Sequence, residues 1–306
     1  MKQDTTLNRS LQTRAVGLLR LSRWKEHILF TVPLTVLGAN MAETYRPESV
    51  TLNWHILTVT VANILAVTCA FMVNDIEDAP DDAREAARAA RNPVTCGEVS
   101  SHEGWLAAIL ISLLSLALYA WVSRAAFGVG VLTLALSYLY SWRVVRLKAY
   151  PVVDVASHAL MLSSLLFLAG YYAYDDTPGS VWLVALGVGL VSVYGQLYNQ
   201  LRDYDMDRAA GLHNTASILG PTTTRRLMYG SIGLAVLCLL ITVQLGLWPL
   251  WLILVPALMA PLFFVFRPNT DMRGTEAIDA SGRIQLGSML IANVAVLIWL
   301  VANLLS

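Results

Sequence analysis

Two short stretches concentrate the residues that could do chemistry. "NDIEDAPDD" (74–82) puts five carboxylates within nine residues, and "NQLRDYDMD" (199–207) echoes it. Asn74, Asp78 and Asp82 are spaced by four, as are Asn199, Asp203 and Asp207, each 125 positions beyond its counterpart. At about 100° per residue, positions i, i+4 and i+8 fall within roughly an 80° arc, so each triad lines one helix face over two turns. Asp75 flanks the first arc, whereas Asp205 points away from the second. Pro80 has no N–H and crowds the carbonyl four residues back, so the first helix should kink or end near Ala79, with Asp82 arriving from a loop. Facing clusters of carboxylates repel unless a cation lies between them. A hard ion such as Mg²⁺ suits an all-oxygen donor set and shares its ligands with phosphates. The plain alternative is a set of solvated loop charges, and the repeated spacing speaks against it.

Complementary charge lies close by in the chain. "YSWRVVRLK" (140–148) carries Arg143, Arg146 and Lys148, and "RNPVTCGEVS" (91–100) begins with Arg91. Arginine makes forked phosphate contacts and lysine acts as a point charge. Metal and basic groups together point to an anionic, phosphate-bearing substrate with a lipophilic part. A basic loop after a membrane span is also what charge bias alone would produce.

The elements holding these residues are membrane helices. "ILAVTCAFMV" (64–73) leads directly into the first cluster. Apolar residues make up 56% of the 306, charged residues 14%, and mean hydropathy is +0.57; soluble domains carry about 25% charged residues. Nine spans are expected, near 27–44, 53–74, 104–122, 126–142, 152–173, 181–200, 226–246, 248–266 and 284–305, each able to cross about 30 Å of hydrocarbon. With a cytoplasmic N-terminus, 19 of the 21 basic residues fall on the cytoplasmic side, leaving Arg46 and Arg124 outside. That asymmetry sets the orientation and puts the C-terminus outside. Both acidic clusters then leave cytoplasmic span ends, and the two halves read as parallel repeats.

Residues 1–26 mix Leu and Val with Arg and Lys, which suits an amphipathic helix on the cytoplasmic leaflet ahead of one transmembrane domain, 27–306. No cleavable signal peptide is expected, because that segment lacks a continuous apolar core. Zero net charge argues against nucleic acid as a partner. Cys69, Cys96 and Cys238 have no pairing or zinc-like spacing. No protein partner is implied.

"NDIEDAPDD" resembles the NDxxDxxxD motif of the UbiA superfamily of intramembrane prenyltransferases, and "NQLRDYDMDRAAGLHNTASILG" is similar to the family's second aspartate motif. "RNPVTCGEVS" resembles its RPxxSGxxS-like continuation, from which Asn92 and Cys96 depart, and "YSWRVVRLKAYP" resembles its loop between spans four and five. The resemblance implies an all-α fold of nine transmembrane helices around a central cavity. It implies Mg²⁺ held by Asp78, Asp82, Asp203 and Asp207, with Asn74, Asp75 and Asn199 assisting. It further implies a prenyl diphosphate whose leaving group contacts Arg146, Lys148 and Arg91. Asp78, Asp203, Lys148 and Arg146 would carry the chemistry. Tyr140, Tyr194 or Tyr198 would face the allylic cation, although each also suits an interfacial anchor.

Asp154 and His158, four apart in the fifth span, share a face. As a buried acid–imidazole pair they could orient an acceptor or take its proton; as packing residues they would simply hydrogen-bond. No motif selects the lipophilic acceptor, and an aromatic one is the default. A terpene cyclase would use the same metal site without an acceptor. A cation transporter would hold its acidic residues nearer the bilayer midplane, and a CDP-alcohol phosphotransferase would gather them in one motif. Prenyltransferase ranks first, cyclase second and transporter third.

Overall fold

The computed structural model describes residues 10–45, 53–177, 179–209, 211–265 and 280–305. The expectations for Arg46, for most of the 267–283 loop and for Ser306 lie outside them.

Among the described residues all regular structure is helical. A short helix α1 (Leu11–Leu21) precedes α2 (Trp24–Tyr45) and α3 (His55–Asp82), which ends in the first acidic cluster. A single turn and a half, α4 (Ala86–Arg91), leads to α5 (Ser101–Val122) and α6 (Arg124–Ser141). The fifth span is composite: α7 (Val153–Ala159), a π-helical turn at Leu160–Ser164, then α8 (Leu165–Tyr172). Next come α9 (Val181–Arg202), α10 (Tyr204–Ala209), α11 (Thr215–Gln244), α12 (Leu254–Val265) and α13 (Ala280–Leu305).

Seven of the described helical segments are long and apolar enough to cross a membrane. The expected first span corresponds to α2, whose hydropathy is diluted by His27, Thr31, Thr35 and Asn40, all buried inside the protein. The expected 248–266 span appears as a 3₁₀ turn followed by the twelve-residue α12. The seventh span starts eleven residues earlier than its hydropathy implies, because Asn214 caps α11 at Thr215. Gly220 then interrupts it with φ of 75°, a left-handed backbone suited to glycine, just ahead of Pro221.

Apolar side chains form two large cores and a smaller one around Leu197 and Met228. Cys69, Met72, Ile76, Tyr119 and Leu134 fill the space among α3, α5 and α6. Leu37, Met41, Phe167, Tyr171 and Trp299 join α2, α8 and α13. A polar node links the two. Asn63 Nδ2 donates to Thr35 Oγ1 (2.6 Å) and to the Leu166 carbonyl (2.9 Å), and Asn63 Oδ1 accepts from the Tyr119 hydroxyl. In hydrocarbon such groups require internal partners, so this node fixes four helices at once. Helices α2 and α8 also meet backbone to backbone: a Cβ on Gly38 would fall 2.1 Å from the Phe167 carbonyl, and one on Gly170 2.1 Å from that of Thr35.

Helix α1 sets its arginines against the 90–103 segment. Arg20 pairs with Glu98 and donates to the Ala90 carbonyl (3.0 Å), and Arg14 lies 3.4 Å from Glu103. Leu11, Val16 and Leu19 face outward. The acidic side chains and open carbonyls of the 90–103 segment draw the arginines inward.

Candidate active site

The last two turns of α3 carry the first cluster. The helix continues through Pro80 to Asp82, so Asp82 is a helical residue and does not come from a loop. The proline sits in the final turn, where it removes one helical bond shortly before the helix ends. Neighbouring carbonyls gain side-chain donors: Asn92 Nδ2 reaches Asp75 O (2.7 Å) and Thr95 Oγ1 reaches Ala79 O (3.2 Å). Asn74 Nδ2 donates to Asp78 Oδ2 (2.6 Å), so the four-residue face forms as expected. Lys148 Nζ donates to Asp78 Oδ1 (2.6 Å), and Asn92 Nδ2 to Asp82 Oδ2 (2.9 Å). Asp75 turns to Arg23 (3.2 Å), whose guanidinium lies 4.6 Å above the Phe71 ring.

The loop after α6 closes over this helix end. Arg143 and Arg146 both bind Asp81, at 2.8 and 3.0 Å, and Arg146 also lies 3.6 Å from Asp78. Lys148 is buried in a 3₁₀ turn bracketed by two left-handed residues, Arg146 (φ 49°) and Val152 (φ 70°). A β-branched residue in that region is strained, and such strain gathers where surroundings fix a functional geometry.

The second cluster is not on one unbroken helix. Helix α9 stops at Arg202, Asp203 occupies its C-cap (φ −91°, ψ 9°), and α10 begins at Tyr204. The stagger survives the break because Asp203 N donates to Asn199 O (3.0 Å) and Asp207 N to Asp203 O (2.9 Å). Arg202 holds both oxygens of Asp203 (3.0 and 3.1 Å), and Asn214 Nδ2 donates to Asp207 Oδ2 (2.7 Å). Burial and the adjacent Asp203 charge push the Asp207 carboxyl up to about 6. Asp205 is exposed, as its angular position implies.

A cavity of about 200 Å³ lies against this cluster, lined by Tyr140, Lys148, Asn199, Asp203, Asp207 and Asn214 among others. Lys148 is the joint between the clusters, bonded to Asp78 on one side and facing the Asp203–Asp207 cavity on the other. The Tyr140 hydroxyl accepts from Gln196 Nε2 (3.0 Å). Among the described residues no three Asp, Glu, His or Cys side chains are gathered closely enough to hold a metal by themselves. Asp203 and Asp207 line the space and Asp78 is joined to it through Lys148, each carboxylate engaged by Lys, Arg or Asn.

The remaining expected site residues divide. Tyr198 is buried in a core with Val155, Leu201 and Met228, away from the cavity lining. Arg91 is exposed at the end of α4, where its charge acts on Glu26. The acid–imidazole pair does not form: Asp154 is fully buried and accepts from Gln200 Nε2 (2.7 Å), Thr215 N (2.7 Å) and Thr215 Oγ1 (2.5 Å). It braces α7, α9 and α11. His158 instead sits beside Tyr140, with ring centroids 6.2 Å apart, and its Nδ1 lies 3.3 Å from Ser192 Oγ.

Arg23, Asp81, Asn92 and Asn214 belong to the site's charge and hydrogen-bond framework yet were not anticipated as such. Asn92 carried a signal, since it is one of the two departures from the family-like pattern. Asn214 carried another, as an Asn seven residues after Asp207 at the start of an apolar helix.

The chain is 28% identical to a 4-hydroxybenzoate octaprenyltransferase from Albidiferax ferrireducens, over 72% of each chain. It is 28% identical to a digeranylgeranylglyceryl phosphate synthase from Methanopyrus kandleri, over 49% of this chain and 53% of that one. Among solved structures, a UbiA homolog from Archaeoglobus fulgidus bound to GPP and Mg²⁺ shares the fold, with a TM-score of 0.74, 22% identity, and coverage of 95% of this chain and 100% of that one. Residues 31–303 match a single family along nearly the whole length, and the chain is a member of it: the UbiA prenyltransferase family.

Proposed function

We propose that the protein is a Mg²⁺-dependent intramembrane prenyltransferase that moves a prenyl group from a prenyl diphosphate to a lipophilic acceptor. The observation that carries this is Lys148, a buried cation joining Asp78 to the cavity of Asp203 and Asp207. The donor chemistry fits magnesium. Asp203 and Asp207, which line the cavity, offer hard oxygen. Mg²⁺ binds through one or two carboxylates, keeps several waters and shares substrate phosphates, so ligands spread around a space suit it better than a closed cage.

Asp78 and Asp82 from α3 would hold the metal together with Asp203 and Asp207. When bound, magnesium would offset the charge that builds on the departing diphosphate. Lys148 and Arg146 would donate to the diphosphate oxygens, exchanging their present carboxylate partners for the substrate. Tyr140, its hydroxyl fixed by Gln196, presents its ring to the carbon left cationic. The apolar helices around it keep out the water that would quench that cation. The relatives' names include both an aromatic acid acceptor and a glyceryl phosphate.

Product mass spectrometry tests the reading directly, using purified protein, Mg²⁺, labelled prenyl diphosphates and a membrane-lipid extract. Prenylated product should appear, whereas a hydrocarbon released from prenyl diphosphate alone would identify a cyclase. Removal of metal with EDTA should abolish turnover and Mg²⁺ or Mn²⁺ should restore it; full turnover in metal-free buffer would refute the metal assignment. The orientation is a further expectation, resting on the basic-residue asymmetry. With Cys69, Cys96 and Cys238 replaced, Ala87→Cys should be shielded from membrane-impermeant maleimide in intact cells, and labelling from outside would reverse the topology.

A further inference from the structure

The site described so far accounts for the diphosphate end of the reaction but leaves a polar wall unused beneath it. Ser192, Gln196, Asn199 and Asp203 form a stripe along α9, spaced by three or four residues. At about 1.5 Å per residue, Ser192 lies roughly 10 Å deeper than Asn199. Polar side chains at such depth face a cavity or a partner. Gln196 meets the Tyr140 hydroxyl, and Ser192 meets His158. The Tyr140 and His158 rings are adjacent, so α6, α7 and α9 contribute to one surface. Its upper end, Tyr140 and Gln196, lines the same cavity as Lys148 and Asp207. His158 keeps accessible surface although it lies among these helices. The π-helical turn that begins two residues after it shifts the helical register of the span, as such turns often do at functional sites.

Below Asn199 and Asp203 this wall carries no carboxylate, ammonium or guanidinium group. Tyr140, His158, Ser192 and Gln196 offer hydroxyl, imidazole and amide groups, while the cavity's cations, Lys148 and Arg202, are engaged by Asp78 and Asp203. An anionic head group placed against it would be buried without a counter-charge, which is costly. A neutral hydroxyl would find both donors and acceptors.

Building on the prenyl-transfer reading, we propose that Tyr140, His158, Ser192 and Gln196 form the acceptor subsite, selective for an uncharged, hydroxyl-bearing head group. His158 is the base in that subsite. The allylic C–O bond breaks with its electron pair leaving on the diphosphate. The acceptor's nucleophilic atom bonds to the allylic carbon, and the proton it sheds passes to the imidazole and then to water. Ser192 positions the ring.

The test uses the full chain with Mg²⁺ and geranyl diphosphate, offering methyl 4-hydroxybenzoate, 4-hydroxybenzoate or a 1-O-alkylglycerol. Diphosphate release, prenylated product and geraniol from water capture are measured separately. At least one neutral probe should exceed the acid at least about tenfold in kcat/KM, and the phenol and alcohol arms identify which hydroxyl is used. His158→Gln should lower transfer at least about a hundredfold, the range for loss of a general base. It should also raise the ratio of geraniol to transfer product, which a merely unstable variant would not do. Preference for the acid, transfer to neither neutral probe despite diphosphate release, or an unchanged product ratio in His158→Gln would overturn the subsite. Failure of the parent protein to release diphosphate would instead refute the prenyl-transfer reading, and this subsite with it.

Discussion

Asp78→Asn and Asp203→Asn should each lower turnover at least about a hundredfold at saturating Mg²⁺, equivalent to roughly 2.7 kcal/mol of lost transition-state stabilisation. Each change keeps the shape of the side chain and removes one charge. Asp78 is the residue on which Lys148 and Asn74 converge, and Asp203 borders the cavity facing Lys148. Asp205→Asn is the comparison, because that side chain is exposed on the far side of α10. It should stay within a few-fold of the parent. Purified variants of matched monodispersity and helical content separate chemistry from misfolding. An equal loss in all three, or none in Asp78→Asn, would show that the helical-face assignment chose the wrong carboxylates.

Asp154→Ala should act on stability. Its carboxylate receives Gln200 Nε2, the Thr215 amide and the Thr215 hydroxyl, all buried, and so fastens α7 to α9 and to the start of α11. Truncation leaves at least two donors without an acceptor, at about 1–3 kcal/mol each. A total near 2–6 kcal/mol is a large share of the roughly 5–15 kcal/mol that holds a typical fold together. Thermal unfolding in detergent should show a drop of several degrees, in proportion to the loss of activity across temperature. Unchanged melting with abolished turnover would instead return Asp154 to the reacting centre.

The features legible in the sequence are those set by local periodicity. Apolar run lengths placed seven of the nine expected spans on described helices long and apolar enough to cross a membrane, and four-residue spacing placed Asn74 against Asp78 and kept Asn199, Asp203 and Asp207 in step. What stayed hidden depends on contacts distant in the chain. Arg146 was assigned to substrate, yet it and Arg143 both rest on Asp81, more than sixty residues away. Asp154 and His158 share a helix face, but Thr215 and Gln200 take the acid while Tyr140 and Ser192 flank the imidazole. Pro80 carried a true local rule whose cost was small at the end of a helix. Asp203 was expected within a helix and instead ends one, a distinction of one residue's dihedral angles that spacing cannot register.

The close crossing of Gly38 and Gly170 bears on how the chain is made. The two glycines are separated by 132 positions, and Thr35 shares a bond with Asn63 beside the same crossing. At about 5–20 residues per second of synthesis, the first span waits roughly 7–26 s before its partner leaves the ribosome. Throughout that interval the small-residue face of α2 at Gly38 has no α8 against which to pack. That face waits beside the insertion machinery for its partner, and a nascent chain stopped short of residue 170 should remain there instead of diffusing into lipid.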